Sequence, residues 1–227
     1  WSSTRGFSIL GPDKPPAISF DTANGNTLPV EAVYSRETIW TFTGIASDPE
    51  GQLTSVEFRC GIGSENCGSQ LSHNGTDSWS HTQNGMSGRN DIYFVAVDSY
   101  GNHTPSRHLD LRIDIAVPNT LIGLNGNSTP LSWPAWFTQP VQVSLNSTDG
   151  ATGSAASGID RLLYRVDGGN WQTIIGNSTS FTITSDGSHS VEYYAIDKVG
   201  NIETTHTANF KIDQTPPTLP PDVLESS

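Results

Sequence analysis

Two stretches of this chain align with each other without a gap. Residues 91–118, DIYFVAVDSYGNHTPSRHLDLRIDIAVP, match residues 190–217, SVEYYAIDKVGNIETTHTANFKIDQTPP, at a constant offset of 99. Ala96 meets Ala195, Asp98 meets Asp197, and Gly101-Asn102 meets Gly200-Asn201. Asp114 meets Asp213, and Pro118 meets Pro217. Further upstream, Leu53, Val56, Phe58 and Arg59 meet Ile159, Leu162, Tyr164 and Arg165 at an offset of 106, so a seven-residue indel separates the two blocks. A repeat of this kind means two copies of one module of about 100 residues, the commonest size for an independent fold. The expected organisation is a leader, linker or donor-strand segment over 1–14, a first domain over 15–117, a second over 118–215 and a Pro-rich linker over 216–227.

Each copy reads as β-structure. Ile39-Trp40-Thr41-Phe42-Thr43, Val56-Glu57-Phe58-Arg59-Cys60 and Tyr93-Phe94-Val95-Ala96-Val97 alternate or run apolar in the first. Val141–Leu145, Leu162–Val166, Phe181–Ile183 and Val191–Ile196 do so in the second. Asp167-Gly168-Gly169-Asn170 is a hairpin signal, because glycine takes positive φ without steric cost. In D-x-x-G-N at Asp98 and Asp197, the carboxylate bonds forward amides and the glycine takes the left-handed position. No window carries a helical apolar stripe. Short strands punctuated every 8 to 12 residues predict an all-β chain of two tandem immunoglobulin-like β-sandwiches.

Composition closes off several functions. The chain has 11 Lys+Arg against 23 Asp+Glu, a formal charge of −12, and its only lysines are Lys14, Lys198 and Lys211. Such a chain has no basic footprint for nucleic acid. It also has no run of 18 apolar residues to insert in a membrane. The six histidines are scattered, and H-E-x-x-H and G-x-S-x-G are absent. Most acids sit in turns, so no enzymatic role is expected and no cofactor is required.

The stretch from Trp136 to Asp213 carries Pro140-Val141-Gln142-Val143, Ser157-Gly158-Ile159 and Tyr164-Arg165-Val166-Asp167-Gly168-Gly169-Asn170-Trp171. It continues with Val191-Glu192-Tyr193-Tyr194, Asp197-Lys198-Val199-Gly200-Asn201-Ile202-Glu203 and Lys211-Ile212-Asp213. These residues closely resemble the bacterial surface repeats named after the leptospiral protein OmpL47. The first domain resembles a more distant bacterial Ig-like module. The resemblance implies sandwiches strung in tandem on secreted or cell-surface proteins. Its partners would be neighbouring domains of the same polyprotein or copies of itself, with glycans or a host or matrix surface as further partners.

Candidate site residues follow. Cys60 and Cys67, spaced C-x6-C around two glycines and an Asn, suit a short disulfide loop and an extracellular location. Two reduced thiols are the alternative. Asn74, Asn102, Asn127, Asn146 and Asn177 are sequons. Calcium is the candidate cation. Asp48, Glu50 and Asp98 fall in the B–C and F–G loops of domain one, Asp149 and Asp197 in those of domain two, and Asp114 ends the last strand of domain one. Trp79 and Trp133 are candidate sugar-stacking faces, whereas Trp40 and Trp136 are expected to pack in their domains and Trp171 across its hairpin. Phe7 and Ile9 have the alternation of a donor strand. The expected role is a structural or adhesive stalk. The alternatives are a filament subunit using residues 1–14 and a carbohydrate-binding accessory module of a secreted glycoside hydrolase.

Overall fold

The structure, a computed structural model, describes residues 13–28, 31–60, 66–72, 77–127, 135–151 and 153–218, with backbone alone for 66–72, 77 and 154. The chain divides into two compact units, Trp1–Ile115 and Ala116–Ser227. Among the described residues no helix is long and apolar enough to cross a membrane.

The strands of unit 1 are β1 (Ala17–Ile18), β2 (Thr22–Ala23), β3 (Asn26–Thr27), β4 (Val33–Ser35), β5 (Trp40–Ser47), β6 (Leu53–Cys60), β7 (Asn66–Ser72), β8 (Asp77–Gln83), β9 (Gly88–Asp98), β10 (His103–Pro105) and β11 (Leu109–Ile113). In one sheet β5 is central, with β1 and β2 on one edge and β8 on the other. The second sheet runs β4-β11-β9-β6-β7. Unit 2 contains β12 (Asn119–Leu124), β13 (Ala135–Phe137), β14 (Val141–Thr148), β15 (Ile159–Val166), β16 (Gln172–Ile175), β17 (Ser178–Ile183), β18 (Gly187–Asp197) and β19 (His206–Ile212). Its sheets are β12-β14-β17 and β13-β19-β18-β15-β16. The two units therefore share one pairing scheme. In both, a short strand joins the last strand in parallel, β4 on β11 and β13 on β19, while the long pairs are antiparallel. This is the immunoglobulin-like β-sandwich.

Alternation builds each core. In β5 the residues Trp40, Phe42 and Ala46 point inward, and Phe58 and Phe94 meet them from the facing sheet. The Phe42 and Phe58 rings lie 5.9 Å apart, Phe58 and Phe94 5.4 Å, and Trp79 and Phe94 4.1 Å. Each such fully buried ring contributes about 2–3 kcal/mol by transfer from water. Unit 2 fills the same space with aliphatics, among them Val141, Val143, Leu145, Leu162 and Val191, closed by Phe210 and Ile212. It also buries a charge. Glu203 accepts the Thr120 N–H (2.6 Å), the Thr120 hydroxyl (2.5 Å) and the Ala195 N–H (3.0 Å), and so ties β12 to β18.

Two departures from the sequence reading concern tryptophan. Trp136 is 60% exposed rather than packed in the core. In β13, Ala135 pairs with Phe210 and Phe137 with Ile212, whose side chains point inward, so Trp136 and its partner Lys211 face out. The Lys211 ammonium sits 4.8 Å from the indole centroid. Unit 1 repeats this clamp at its parallel pair, with Arg112 5.2 Å from the Tyr34 ring. Trp79 departs in the opposite sense. It is 2% exposed and its side chain lies over Gly44, its partner across β5 and β8.

A Cβ at Gly44 would come within 2.3 Å of the Trp79 ring and 2.1 Å of the Ser19 carbonyl oxygen. Backbone cannot yield as a flexible side chain does. Gly44→Ala is expected to lower the stability of unit 1 by about 3 kcal/mol, read as a lower denaturation midpoint for that unit while unit 2 keeps its own.

Candidate functional site

Register fixes which loops share a pole. In unit 1, β1 starts opposite the end of β5 (Ala17 with Ser47), and β6 starts opposite the end of β9 (Leu53 with Asp98). The chain's lead-in, the β5–β6 loop and the β9–β10 turn thus converge at one end, here called the N-terminal pole. β11 ends opposite Gly88, where β9 begins, so the chain leaves at the other end. In unit 2, Asn119 pairs with Thr148, Ile159 with Asp197, and Ile212 with Gly187, which gives the same arrangement.

An aspartate folds each of these turns. Asp98 Oδ1 accepts the N–H groups of Tyr100 (2.8 Å) and Asn102 (2.9 Å), and Oδ2 accepts the Asn102 side-chain amide (2.8 Å). Asp197 does the same with Val199 (3.0 Å), Asn201 (2.8 Å) and the Asn201 amide (2.7 Å). Gly101 and Gly200 take φ of 86° and 88° within these turns, as D-x-x-G-N requires. Burial works upward on the Asp98 carboxyl, but the Asn102 side chain and N–H and the Tyr100 N–H outweigh it and hold the group below its ordinary value. Each turn also grips the neighbouring loop. The Ser99 N–H donates to Gln52 O (2.9 Å) in unit 1, and the Lys198 N–H to Gly158 O (2.9 Å) in unit 2.

The facing loops are built around Asp48 and Asp149. Asp48 Oδ1 accepts the N–H groups of Glu50 and Gln52, both at 2.9 Å. Asp149 Oδ1 accepts Ala151 N–H (2.9 Å), and its Oδ2 accepts Gly158 N–H (2.6 Å). Carboxylate oxygens of Asp149 and Asp197 lie within 4.8 Å of each other in unit 2. Asp114 belongs to unit 1, where it is buried just after β11 and its N–H donates to Ser35 O (2.8 Å).

One residue of the unit 1 pole escaped the sequence reading. Asp13, assigned there to a linker, precedes β1 and accepts a hydrogen bond from the Asn102 amide. A signal for it exists. Asp13-Lys14-Pro15-Pro16 parallels Asp114 ahead of Pro118 and Asp213 ahead of Pro216-Pro217.

The other candidates are more scattered. Trp79 offers no sugar-stacking face, because it is buried against Phe94 in the core. Trp133, Asn74, Phe7 and Ile9 lie outside the described residues, as does the Cys67 side chain; Cys60 ends β6 half-buried. Asn127, Asn146 and Asn177 are exposed. Asn102 is half-buried, and its amide nitrogen donates to Asp98 and Asp13. Trp171 packs edge-on to Tyr194 at 78° with the Arg165 guanidinium 4.8 Å from its ring, which is not the flat platform that stacks on a sugar.

No family model matches the chain, and no curated protein matches it. Its similarities to solved structures are distant. The fibronectin(III)-like modules of Clostridium thermocellum CbhA are 17% identical with a TM-score of 0.29, over 86% of this chain and 94% of theirs. The D00-D0 domain of intimin is 12% identical with a TM-score of 0.35, over 86% and 97%. The sialic acid binding region of a Streptococcus sanguinis adhesin is 11% identical with a TM-score of 0.30, over 89% and 78%. The immunoglobulin-like class stands on strand order and pairing. The narrower OmpL47-type membership has no match behind it.

Among the described residues of unit 2, a hollow of about 400 Å³ is lined by Asp167, His189, Asn209, Phe210 and Lys211 among others. Both His189 nitrogens face acceptors, Asp167 Oδ2 (2.9 Å) and Ser185 O (2.9 Å). Burial works against the His189 cation, but the Asp167 carboxylate and the Ser185 carbonyl raise its pKa above 6.5. Asp167 is itself held below 3.8: burial raises it, and the Ser190 N–H and His189 outweigh that. A raised histidine stabilises fully below its unfolded value and loses the effect as pH climbs through the folded one. A lowered aspartate stabilises above its unfolded value and loses the effect as pH falls. The pair is therefore expected to stabilise unit 2 most between pH 3.8 and 6.5. The stability gap between the protein and a His189→Gln variant, measured by urea titration across pH, is expected to narrow above that window.

Proposed function

We propose that the chain is a non-enzymatic stalk or spacer segment of a secreted or cell-surface protein, a load-carrying pair of modules that presents other domains. The observation that carries this reading is the polarity of each sandwich. The chain enters unit 2 at the pole of Asn119 and Asp197 and leaves it at the pole of Gly187 and Ile212. Pull on the two ends of such a unit runs along its strands. The parallel pairs β4–β11 and β13–β19 would then be loaded in shear, with their hydrogen bonds stretched together rather than broken one at a time. The cation–π clamps of Arg112 on Tyr34 and Lys211 on Trp136 brace those same pairs.

The acidic, Ser/Thr-rich surface keeps such an array soluble. The resemblance of 136–213 to OmpL47-type surface repeats and the C-x6-C spacing of Cys60 and Cys67, read as a disulfide, support the extracellular setting. The partners of this segment are then the modules on either side of it in the same polypeptide.

Single-molecule stretching of the chain between handles tests the reading. Two discrete unfolding events are expected, each releasing roughly 30 nm of chain for about 95 residues. Smooth extension without discrete events would refute a load-bearing role.

A further inference from the structure

The outer face of the second sheet in unit 1 carries an apolar row where an antiparallel sheet ordinarily turns polar residues to water. β9 sends Phe94 and Ala96 into the core, so Tyr93, Val95 and Val97 stand on the opposite face. Val95 and Val97 pair with Pro105 and His103 of β10. These residues, with Arg59 toward the far end, line a hollow of about 430 Å³. A cavity of roughly 150 Å³ already takes a benzene ring, so this one has room for a phenyl ring and an aliphatic neighbour.

Unit 2 covers the matching patch with a ring of its own. Strand pairing fixes the correspondence. Arg59 opposite Tyr93 and Glu57 opposite Val95 in unit 1 become Arg165 opposite Glu192 and Leu163 opposite Tyr194 in unit 2. There the Trp171 ring stands 5.2 Å from Tyr194, with the Arg165 guanidinium 4.8 Å from the indole. Trp171 comes from the hairpin between β15 and β16. The corresponding stretch of unit 1, residues 61–72, contains no aromatic residue, and Asn66 pairs with Arg59. A ring to cover this hollow has to come from elsewhere.

One apolar segment starts within reach. Asp13 accepts a hydrogen bond from the Asn102 amide, and Asn102 directly precedes His103 at the mouth of the hollow. β1, which begins four residues after Asp13, also lies against β9 and β10. Residues 1–12 lie outside the described residues and include Phe7, Ile9 and Leu10. Phe7 is six residues from Asp13, a reach of about 20 Å in an extended chain. The row from Val97 to Tyr93 is only about 13 Å long at the rise of a strand. Phe7 and Ile9 share one side of an extended segment, at the spacing of Val95 and Val97. Arg5 is the one charged side chain among residues 1–12, and it is positive in a chain of formal charge −12.

We propose that residues 6–10 lie back along β9 of the same chain, with Phe7 filling the hollow over Val95 and Ile9 covering Val97. Phe7 then serves unit 1 as Trp171 serves unit 2. The docked segment carries the chain's lead-in across the sheet rather than straight away from the pole.

NMR of the full chain tests this. Cross-peaks are expected between the Phe7 ring and the methyl groups of Val95 and Val97. In a Phe7→Ala variant the amides of Val95, Val97 and His103 are expected to shift. Its unit 1 melt is expected to fall by about 5 °C while that of unit 2 holds. Phe7 precedes every strand, so the variant keeps both sandwiches. Absence of the cross-peaks overturns the proposal, as does a Phe7→Ala variant in which those amides stay in place. An equimolar mixture of differently labelled copies supplies the last check. Cross-peaks that run only between copies would also overturn the proposal, because the occupant would then be a neighbour's segment.

Discussion

Much of this molecule hangs on one carboxylate in each unit. Asp98 and Asp197 close the turn after β9 and β18 by accepting two backbone N–H groups and one asparagine amide apiece. The turn sets the exit angle of those strands and, through Ser99 and Lys198, fastens the loop across the pole. Those strands are also central in their sheets, so an error in the turn would be carried into the register on both sides. The same few atoms thus fix the local turn, the sheet and the grouping of acids at the pole.

Around this shared frame the units have diverged. Unit 1 packs aromatics, Phe42, Phe58, Phe94 and Trp79, and needs Gly44 to make room for the indole. Unit 2 packs aliphatics and anchors its first strand with the buried Glu203 carboxylate. The residue at the corresponding repeat position of unit 1 is Thr104, which has no such charge. Loop length diverged with them, and with it the satisfaction of the acid in the loop before β6 or β15. In unit 1 the Gln52 N–H joins that of Glu50 on Asp48 Oδ1, whereas in unit 2 the matching Gly158 N–H goes to Asp149 Oδ2.

The sequence exposed the repeat, the strand pattern, the turn aspartates and the Asp167-Gly168 hairpin, whose φ values of 51° and 69° are those of a type I′ turn. These features are local: alternation and turn chemistry are written over a few neighbouring residues. What it hid depends on partners far along the chain. Trp79 and Trp136 carry the same side chain, yet one lies inside and one outside. The choice is made by pairing with Gly44 on β5 and with Lys211 on β19. Asp13 looked like linker for the same reason, since its partner Asn102 is 89 residues away.

Amide hydrogen exchange, followed residue by residue, reaches the central claim most directly. If carboxylates hold these turns, the N–H groups of Tyr100, Asn102, Val199 and Asn201 will exchange at least about 100-fold more slowly than unprotected peptide, despite lying in loops. Exchange at free-peptide rates at those four positions would contradict the account, because the turns would then be set by something other than their aspartates.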